Sequence, residues 1–546
     1  VSAGRGRAAW SGAVVLAAAL VVAPVAAVLL DAVAGSGRTA GWEVPAGLAR
    51  MVQQTTLLLL GVAAGTLVLG CGLAWLVTAH RFPGRDVLVW LLVLPLAMPA
   101  YILGFVFLST FDVAGDVQVW LREVTGTGLQ VPVRGVGGAA VVMSLTLYPY
   151  VYLLARAAFA QQSPTTWEAA RLLGASRRRA FAGVLLPLAR PSLAAGLALV
   201  MMEVLTDFAT VQYFGVRTVS VGVYTTWRQT YRFDLAVQLA GVVLLFAVAV
   251  LAGERLLRGR ARFTQRGGRG GGPTPSRLAG WRGWLATGVC VLVLAGGFAV
   301  PLLRLVLWAA AQLAGDGQPV DPRFGGYLLN SVVVAVLVAL ACVALALVVG
   351  HAVRLGGGRV VRGAAQLTTV GYAVPGAVVG IGTLLALGAV DDLLEALGVP
   401  GGTGLLVTGS LVAIVLAYVV RFLGPAHQAV DASYAQVRPQ LTQSALSLGA
   451  GPWRVLTRVH LPLVRPGVGV ALVLVSVDAV KELPVVLMLR PFGFTTVSVW
   501  VHELASENLW SLAALPAVVI VALATVPVVL LFGQVRRADR REQASR

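Results

Sequence analysis

Glu168-Ala169-Ala170-Arg171-Leu172-Leu173-Gly174, followed by Leu186-Pro187 and Arg190-Pro191, has a counterpart 275 residues further on. That second stretch is Gln443-Ser444-Ala445-Leu446-Ser447-Leu448-Gly449, followed by Leu461-Pro462 and Arg465-Pro466. In both, thirteen positions separate the glycine from the first proline. Each stretch is polar, bears arginine, and sits between long apolar segments. The chain therefore reads as a duplicated membrane protein organised to hold two polar loops on one side of a bilayer.

The composition agrees with that reading. Of 546 residues, 58% are hydrophobic and 12% charged, and the mean hydropathy is +0.85. Repeated apolar runs of about twenty residues then signal a polytopic membrane protein rather than several soluble domains. The formal charge of +19 would suggest a nucleic-acid partner in a soluble chain. Here the arginines cluster between apolar runs, so the positive-inside rule accounts for them and no nucleic acid is implied. Cys71, Cys290 and Cys342 lie in apolar runs without metal or redox spacing and read as small buried side chains. The apolar run after Arg5 and Arg7 extends to about Leu30, too long for a signal h-region, and reads as a retained first helix.

Twelve spans are predicted. Six run near Ala8–Leu30, Thr55–Thr78, Val87–Leu108, Gly137–Phe159, Ser192–Tyr213 and Leu235–Gly253. Six more run near Trp284–Leu307, Leu328–Val349, Ala364–Leu387, Leu405–Leu423, Gly467–Leu489 and Leu512–Phe532. Between the sets, residues 255–282 hold eight arginines and a Gly/Pro-rich stretch, the composition of a flexible cytoplasmic linker. This divides the chain into a first repeat (1–254, loop 161–192), the linker (255–282) and a second repeat (283–546, loop 424–466). The expected fold is all-α, with about twelve transmembrane helices in two parallel six-helix repeats. Arginine-rich loops alternate with loops carrying Asp31, Glu43, Asp112, Asp116, Asp391, Asp392, Glu395, Glu503 and Glu507. Both termini and both marked loops are accordingly expected in the cytoplasm. Pro99 and Pro375, Glu203/Asp207 and Asp478/Glu482, and Val219-Ser220 and Val497-Ser498 extend the repeat beyond the loops.

Within the first loop, Thr165 and Glu168 have capping-box spacing, Gly174 is placed to end the helix, and Ser176 to cap the next one. Pro439 and Pro452 mark helix starts in the second loop. Each loop is predicted to be a helix–glycine–helix knob. Lys481 is the single lysine and closes no glycine-rich loop, so the chain has no phosphate-binding loop of its own. If ATP drives it, another chain binds the ATP.

Glu168-Ala169-Ala170 with Gly174 and the later Leu186-Pro187 resembles the EAA loop of inner-membrane permeases of ATP-binding-cassette importers. The second copy departs from that pattern, with Gln443-Ser444-Ala445 in place of Glu-Ala-Ala. Asp207-Phe208-Ala209-Thr210-Val211-Gln212-Tyr213-Phe214-Gly215-Val216, Tyr224-Thr225-Thr226-Trp227, Asp478–Pro484, Leu489–Phe494 and Glu503–Glu507 narrow the resemblance to fused iron(III) importer permeases. The resemblance implies the type I importer permease fold in a bacterial inner (plasma) membrane. It also implies two partner ATPase subunits seated on the loops and an extracytoplasmic binding protein that delivers the cargo. Coupling would then fall to Glu168, Ala169, Ala170, Arg171, Gly174 and Pro187, and to Ala445, Gly449, Arg454 and Pro462. No cofactor is implied in this chain.

Glu203 and Asp207 share one helix face, as do Asp478 and Glu482. Ionisable residues within spans are costly and mark pathways or pairings. Three readings stand for these acids and Lys481: a cation pathway or gate, a structural pairing that includes Lys481 or the helix ends, and solvation at the outer interface. Tyr213 and Tyr224 read as interfacial anchors in preference to oxygen ligands. His427 and His460 fall on the cytoplasmic side and His502 outside, none with a partner at metal-ligand spacing, and a metal site is not identifiable. No nucleophile–base constellation points to an enzyme. The expected function is import of iron(III) by alternating access. The same architecture carrying thiamine, a polyamine or 2-aminoethylphosphonate is the alternative within the family. An ion-gradient-driven secondary transporter is the alternative outside it.

Overall fold

The computed structural model describes residues 2–34, 45–126, 132–162, 164–230, 232–258, 275–315, 318–399 and 405–544. Glu43 and most of the predicted linker, residues 259–274, lie outside the described residues. In the first half the helices are α1 (Ser2–Ala34), α2 (Leu48–Ala79), α3 (Arg85–Leu91), α4 (Ala100–Phe111), α5 (Asp116–Thr125) and α6 (Val136–Gln161). They are followed by α7 (Pro164–Leu172), α8 (Arg177–Ala180), α9 (Leu186–Thr206), α10 (Phe208–Tyr213), α11 (Val219–Gln229) and α12 (Phe233–Arg258). The second half opens with α13 (Trp281–Leu294), α14 (Val300–Leu313), α15 (Phe324–Arg354), α16 (Arg359–Leu367), α17 (Gly376–Ala396), α18 (Leu405–Thr408) and α19 (Leu411–Gln436). It closes with α20 (Pro439–Ser447), α21 (Pro452–Val455), α22 (Leu461–Lys481), α23 (Pro484–Leu489), α24 (Val497–Ser506) and α25 (Trp510–Ala544). Among the described residues, eleven helical stretches are long and apolar enough to cross a membrane, and a shorter apolar stretch covers Trp510–Val526. The protein is a polytopic, all-α membrane protein.

Several predicted spans differ from the helices found: Leu405–Leu423 is split at the extended Ser410 (ψ 172°), which caps α19, and four others are interrupted at a proline or an acid. Val87–Leu108 and Ala364–Leu387 are each broken ahead of a proline. Met98 (φ −91°, ψ 108°) and Val374 (φ −98°, ψ 128°) are extended, because a following proline ring disfavours helical backbone at the preceding residue. Pro99 and Pro375 then start α4 and α17 with matching angles (ψ 139° and 141°). Ser192–Tyr213 and Gly467–Leu489 are instead interrupted at Asp207 and Glu482, where the backbone leaves the helix. Their cytoplasm-facing ends, as predicted from arginine, begin earlier than expected, in the apolar stretches Phe181–Thr206 and Pro452–Lys481.

A wide π turn precedes α9 at Phe181–Leu185 and α22 at Leu456–His460. Pro187 and Pro462 lie one residue inside these two helices. A proline ring collides with the carbonyl of the preceding α-turn, and a wider turn relieves the collision. The repeated Leu-Pro pairs thus have a direct backbone consequence, the same in both halves.

Packing divides the chain differently from the repeat. One compact unit comprises residues 1–45, 222–244 and 321–500, and the other 46–221, 245–320 and 501–546. In the first unit α1 packs on α15, α16 and α17, all from the second half of the sequence. A Cβ on Gly382 of α17 would meet the Pro24 carbonyl at 2.2 Å, so the glycine is what admits the close approach of α1. In the other unit α14 packs on α25 and α4, and α13 on α3. There α2 and α6 approach closely through Gly61, Gly65 and Gly70, where added Cβ atoms would lie 3.2 Å from Ala140 Cβ, 2.3 Å from Ser144 Oγ and 2.7 Å from Val151 Cβ. Small residues four apart are the usual means of such contact in lipid. The buried Tyr148 and Tyr152 of α6 donate to the carbonyls of Leu92 (2.7 Å) and Val89 (2.9 Å). They satisfy polar groups that the broken third span leaves behind.

The far end of the predicted linker is not loose. Ser276–Arg277 pairs in parallel with His80–Arg81, forming a two-residue ladder. His80 Nδ1 lies 2.9 Å from Ser276 Oγ, and Leu278 N–H donates to the Arg81 carbonyl at 2.9 Å.

Candidate coupling loops and intramembrane acids

Both marked loops are helix–glycine–helix elements with one backbone pattern. In the first, Gly174 (φ +84°) ends α7, with Gly174 N–H on the Arg171 carbonyl and Ala175 N–H on the Ala170 carbonyl, both 3.1 Å. In the second, Gly449 (φ +81°) ends α20, with Gly449 N–H on Leu446 (3.1 Å) and Ala450 N–H on Ala445 (3.0 Å). These paired bonds are the Schellman arrangement, which requires left-handed backbone at the glycine. Glu168, Ala169, Arg171, Gln443 and Arg454 are exposed, whereas Ala170 and Ala445 are half-buried at equivalent places. Ser176 Oγ accepts from Arg179 N–H at 3.3 Å and caps α8 as expected. α7 begins at Pro164, so Thr165 lies in its first turn and not at the cap. The capping-box reading is corrected: proline takes the first helical position, as Pro439 does in α20. Arg171 is not wholly free for a partner, since it donates to the Ala175 carbonyl at 2.7 Å and closes its own loop.

The sequence reading passed over the leucines beside the glycines. Leu173 and Leu448, offset by 275, are each 88% exposed, and Leu172 equally so. An apolar side chain preceding a tight glycine turn is the available signal. It is visible only once the turn is known to project outward.

Behind the loops the two copies differ. In the first half Trp75 packs against Phe181 (ring centroids 4.6 Å) and Phe159 (6.0 Å), and Gln162 donates to the Leu185 carbonyl at 3.1 Å. In the second, His351 of α15 and His460 of the π turn meet with Nδ1 atoms 2.9 Å apart. Nε2 of His460 lies 2.9 Å from Thr442 Oγ1 of α20. Sequence reasoning missed this pairing because 109 residues separate the two histidines.

The acids occupy the interrupted spans. Asp207 caps α10: one carboxylate oxygen accepts Thr210 N–H at 2.9 Å and the other accepts the Thr210 hydroxyl. Glu482 holds the equivalent position, accepting Val485 N–H at 3.4 Å. Its second oxygen lies 3.3 Å from Arg421 Nε, with side chains only 5% and 6% exposed. That contact is a buried ion pair. Arg421 also donates to the Val374 carbonyl at 3.4 Å, at the break before α17. Asp478 pairs with Lys481 at 2.8 Å, and Glu203 stands half-buried one turn before Asp207. Serines repeat the theme: Ser220 Oγ donates to the Leu205 carbonyl (2.6 Å) and Ser498 Oγ to the Glu482 carbonyl (2.9 Å). The geometry thus gives Asp207, Asp478, Lys481 and Glu482 pairing or capping partners. Arg421, an arginine inside a predicted span, was the overlooked signal.

Tyr213 is buried, with its hydroxyl 2.9 Å from His502 Nδ1. Its reading as an interfacial anchor is corrected, because the ring lies inside the protein and its polar tip has a protein partner. A small cavity of about 170 Å³ beside it is lined in part by Arg134, Gln212, Asn508 and Trp510. Among the described residues there is no cluster of three or more His, Cys, Asp or Glu able to hold a metal.

Residues 66–258 match the family model described as "Binding-protein-dependent transport system inner membrane component". The sulfate transport system permease protein CysT of Escherichia coli is 32% identical over 203 residues, spanning 35% of this chain and 70% of that protein. The chain belongs to the binding-protein-dependent inner-membrane permeases. Within this permease family, the Fe(3+)-transport system permease protein FbpB 2 of Haemophilus influenzae is 25% identical over 490 residues, 89% of this chain and 90% of that one. The molybdenum transport system permease protein ModB of Escherichia coli is 31% identical over 166 residues, 29% and 71% of the respective chains. Membership removes the reason for invoking an ion-gradient-driven secondary transporter.

Proposed function

We propose that this permease is the membrane subunit of an ATP-driven importer that moves iron(III) inward from an extracytoplasmic binding protein. The observation that carries the reading is the repeated knob: two exposed helix–glycine–helix elements 275 residues apart with the same Schellman bonds and an 88% exposed leucine before each glycine. Two partner ATPase subunits seat on them, one at Glu168–Pro187 and one at Gln443–Pro462. ATP is bound by those partners, and this chain converts their closure into rearrangement of its spans. The loops and both termini face the cytoplasm, in accord with the arginine distribution, and the membrane is the bacterial inner membrane. Iron is favoured over sulfate or molybdenum because the relative named for Fe(3+) matches 89% of the chain, whereas the other two match 35% and 29%.

The geometry also supports a structural role for the acids. Asp207 and Glu482 end their spans at equivalent places in the two repeats, and each carboxylate caps the short helix that follows.

The test is uptake by vesicles containing the permease, its ATPase and its binding protein, offered labelled iron(III) or labelled thiamine. ATP-dependent iron accumulation is expected. Thiamine accumulation without iron would overturn the cargo and leave the architecture standing. Absence of ATP dependence would overturn the coupling role.

A further inference from the structure

The second knob is held from behind by a chain of polar side-chain contacts. Thr442 lies on α20, and its Oγ1 is 2.9 Å from His460 Nε2. His460 Nδ1 is 2.9 Å from Nδ1 of His351 on the long helix α15. All three side chains are buried, the histidines completely. Aromatic rings wall them in: Tyr434 stands edge-on to His460 at 5.2 Å, and Trp10 edge-on to His351 at 4.7 Å. Trp10 also stacks on Trp453 of α21 at 6.1 Å. Arg354, the charged neighbour on α15, donates to the Tyr434 and Val437 carbonyls.

Two imidazole nitrogens at this separation share one proton. In either tautomer, one Nδ1 donates and the other accepts. Without that proton two lone pairs face each other; with a second, two N–H groups and two positive charges do. In the first half the corresponding positions are Trp75 (276 residues before His351) and Leu185 (275 before His460), and Trp75 packs against Phe159 and Phe181. Apolar contacts are non-directional and tolerate sliding, whereas a hydrogen-bonded chain resists displacement along its own axis.

We propose that His351 and His460 form a one-proton latch that ties the second coupling helix, through Thr442, to α15. They are positioning residues: they touch no cargo and no nucleotide, and they carry displacement of α20 into a membrane-spanning helix. The second socket is thereby linked to α15 by a directional chain of side chains rather than by apolar packing alone. This rests on the coupling role proposed for the loops.

The experiment uses the full complex in proteoliposomes and reads iron moved per ATP hydrolysed. His460→Ala and His351→Ala are each expected to lower that ratio about five- to tenfold, the usual size of an energetic coupling between sites. The double variant is expected to fall little further, because either loss opens the same chain. Thr442→Ser retains the hydroxyl and should keep the ratio near wild type, whereas Thr442→Val should behave like His460→Ala. Spectra of the isotope-labelled histidine nitrogens in the wild-type complex should show one proton shared between two Nδ1 atoms, a readout independent of how the variants fold. Additive losses from the two histidines, equal damage from Thr442→Ser and Thr442→Val, or spectra without a shared proton would each overturn the latch. A Leu448→Cys probe that crosslinks to the ATPase separates the two levels. Crosslinking with additive losses removes the latch alone, whereas failure to crosslink removes the coupling role and the latch with it.

Discussion

The buried Arg421–Glu482 pair offers the most quantitative prediction. Its side chains are 5% and 6% exposed and its closest atoms 3.3 Å apart. At an effective dielectric of about 20, Coulomb attraction at that distance is about 5 kcal/mol. Desolvation of two ions offsets that attraction, so the net worth of the pair is small. Removing one partner is different. It leaves a charge buried within a span, and the cost is about 3–5 kcal/mol. Arg421→Met and Glu482→Leu are each expected to reduce the folded-to-unfolded ratio by a hundredfold or more, at about 1.4 kcal/mol per decade. Arg421→Met combined with Glu482→Leu should recover most of that loss, because an apolar pair needs no compensation. The assay is equilibrium unfolding in mixed detergent micelles, with iron uptake measured in parallel. A double variant as unstable as the sum of the singles would refute the pairing argument. So would a Glu482→Gln variant that keeps full stability yet loses uptake, a result that would return Glu482 to the cargo path.

Gly174→Val and Gly449→Val place a β-branched residue at φ +84° and +81°. Each should cost about 1–2 kcal/mol locally and uncouple ATP hydrolysis from uptake; normal uptake in either would refute the coupling role of that turn. Leu173→Asp and Leu448→Asp change side chains that are 88% exposed. They should leave unfolding within about 0.5 kcal/mol of wild type while weakening co-purification of the ATPase, and unimpaired co-purification would show that the leucines are not contacts. Glu168→Gln should reduce ATP-driven uptake whereas Gln443→Glu should be tolerated, and equal, negligible effects would count against unequal sockets. Gly65→Leu would drive a side chain into Ser144, where even a Cβ lies 2.3 Å from Oγ. It should destabilise by about 1–3 kcal/mol, as thermal unfolding would register.

Much was written locally in the chain. Apolar runs bounded by arginine announced the spans, and the Gly174 and Gly449 turns followed from their place after a short helix. Local chemistry also misled in places. The apolar reading carried the fifth and eleventh spans straight through Asp207 and Glu482, because apolar residues resume directly after each acid in Phe208–Tyr213 and Pro484–Leu489. That each acid's carboxylate caps the next helix could not be read from the apolar pattern. Tyr213 was placed at an interface because an aromatic near a span end usually sits there, yet its hydroxyl partner, His502, is 289 residues away in the chain.

By itself the sequence determined which segments leave water, where the two loop glycines turn left-handed, and that the pattern occurs twice. Those properties depend on a residue and its near neighbours. Only the tertiary structure decided that α1 packs on α15, α16 and α17, that α14 packs on α4 and α25, and that His351 meets His460. Lipid is as apolar as leucine, so hydropathy drives a helix into the membrane without choosing its neighbour. The choice falls to close contacts at glycines and to buried polar groups that need partners.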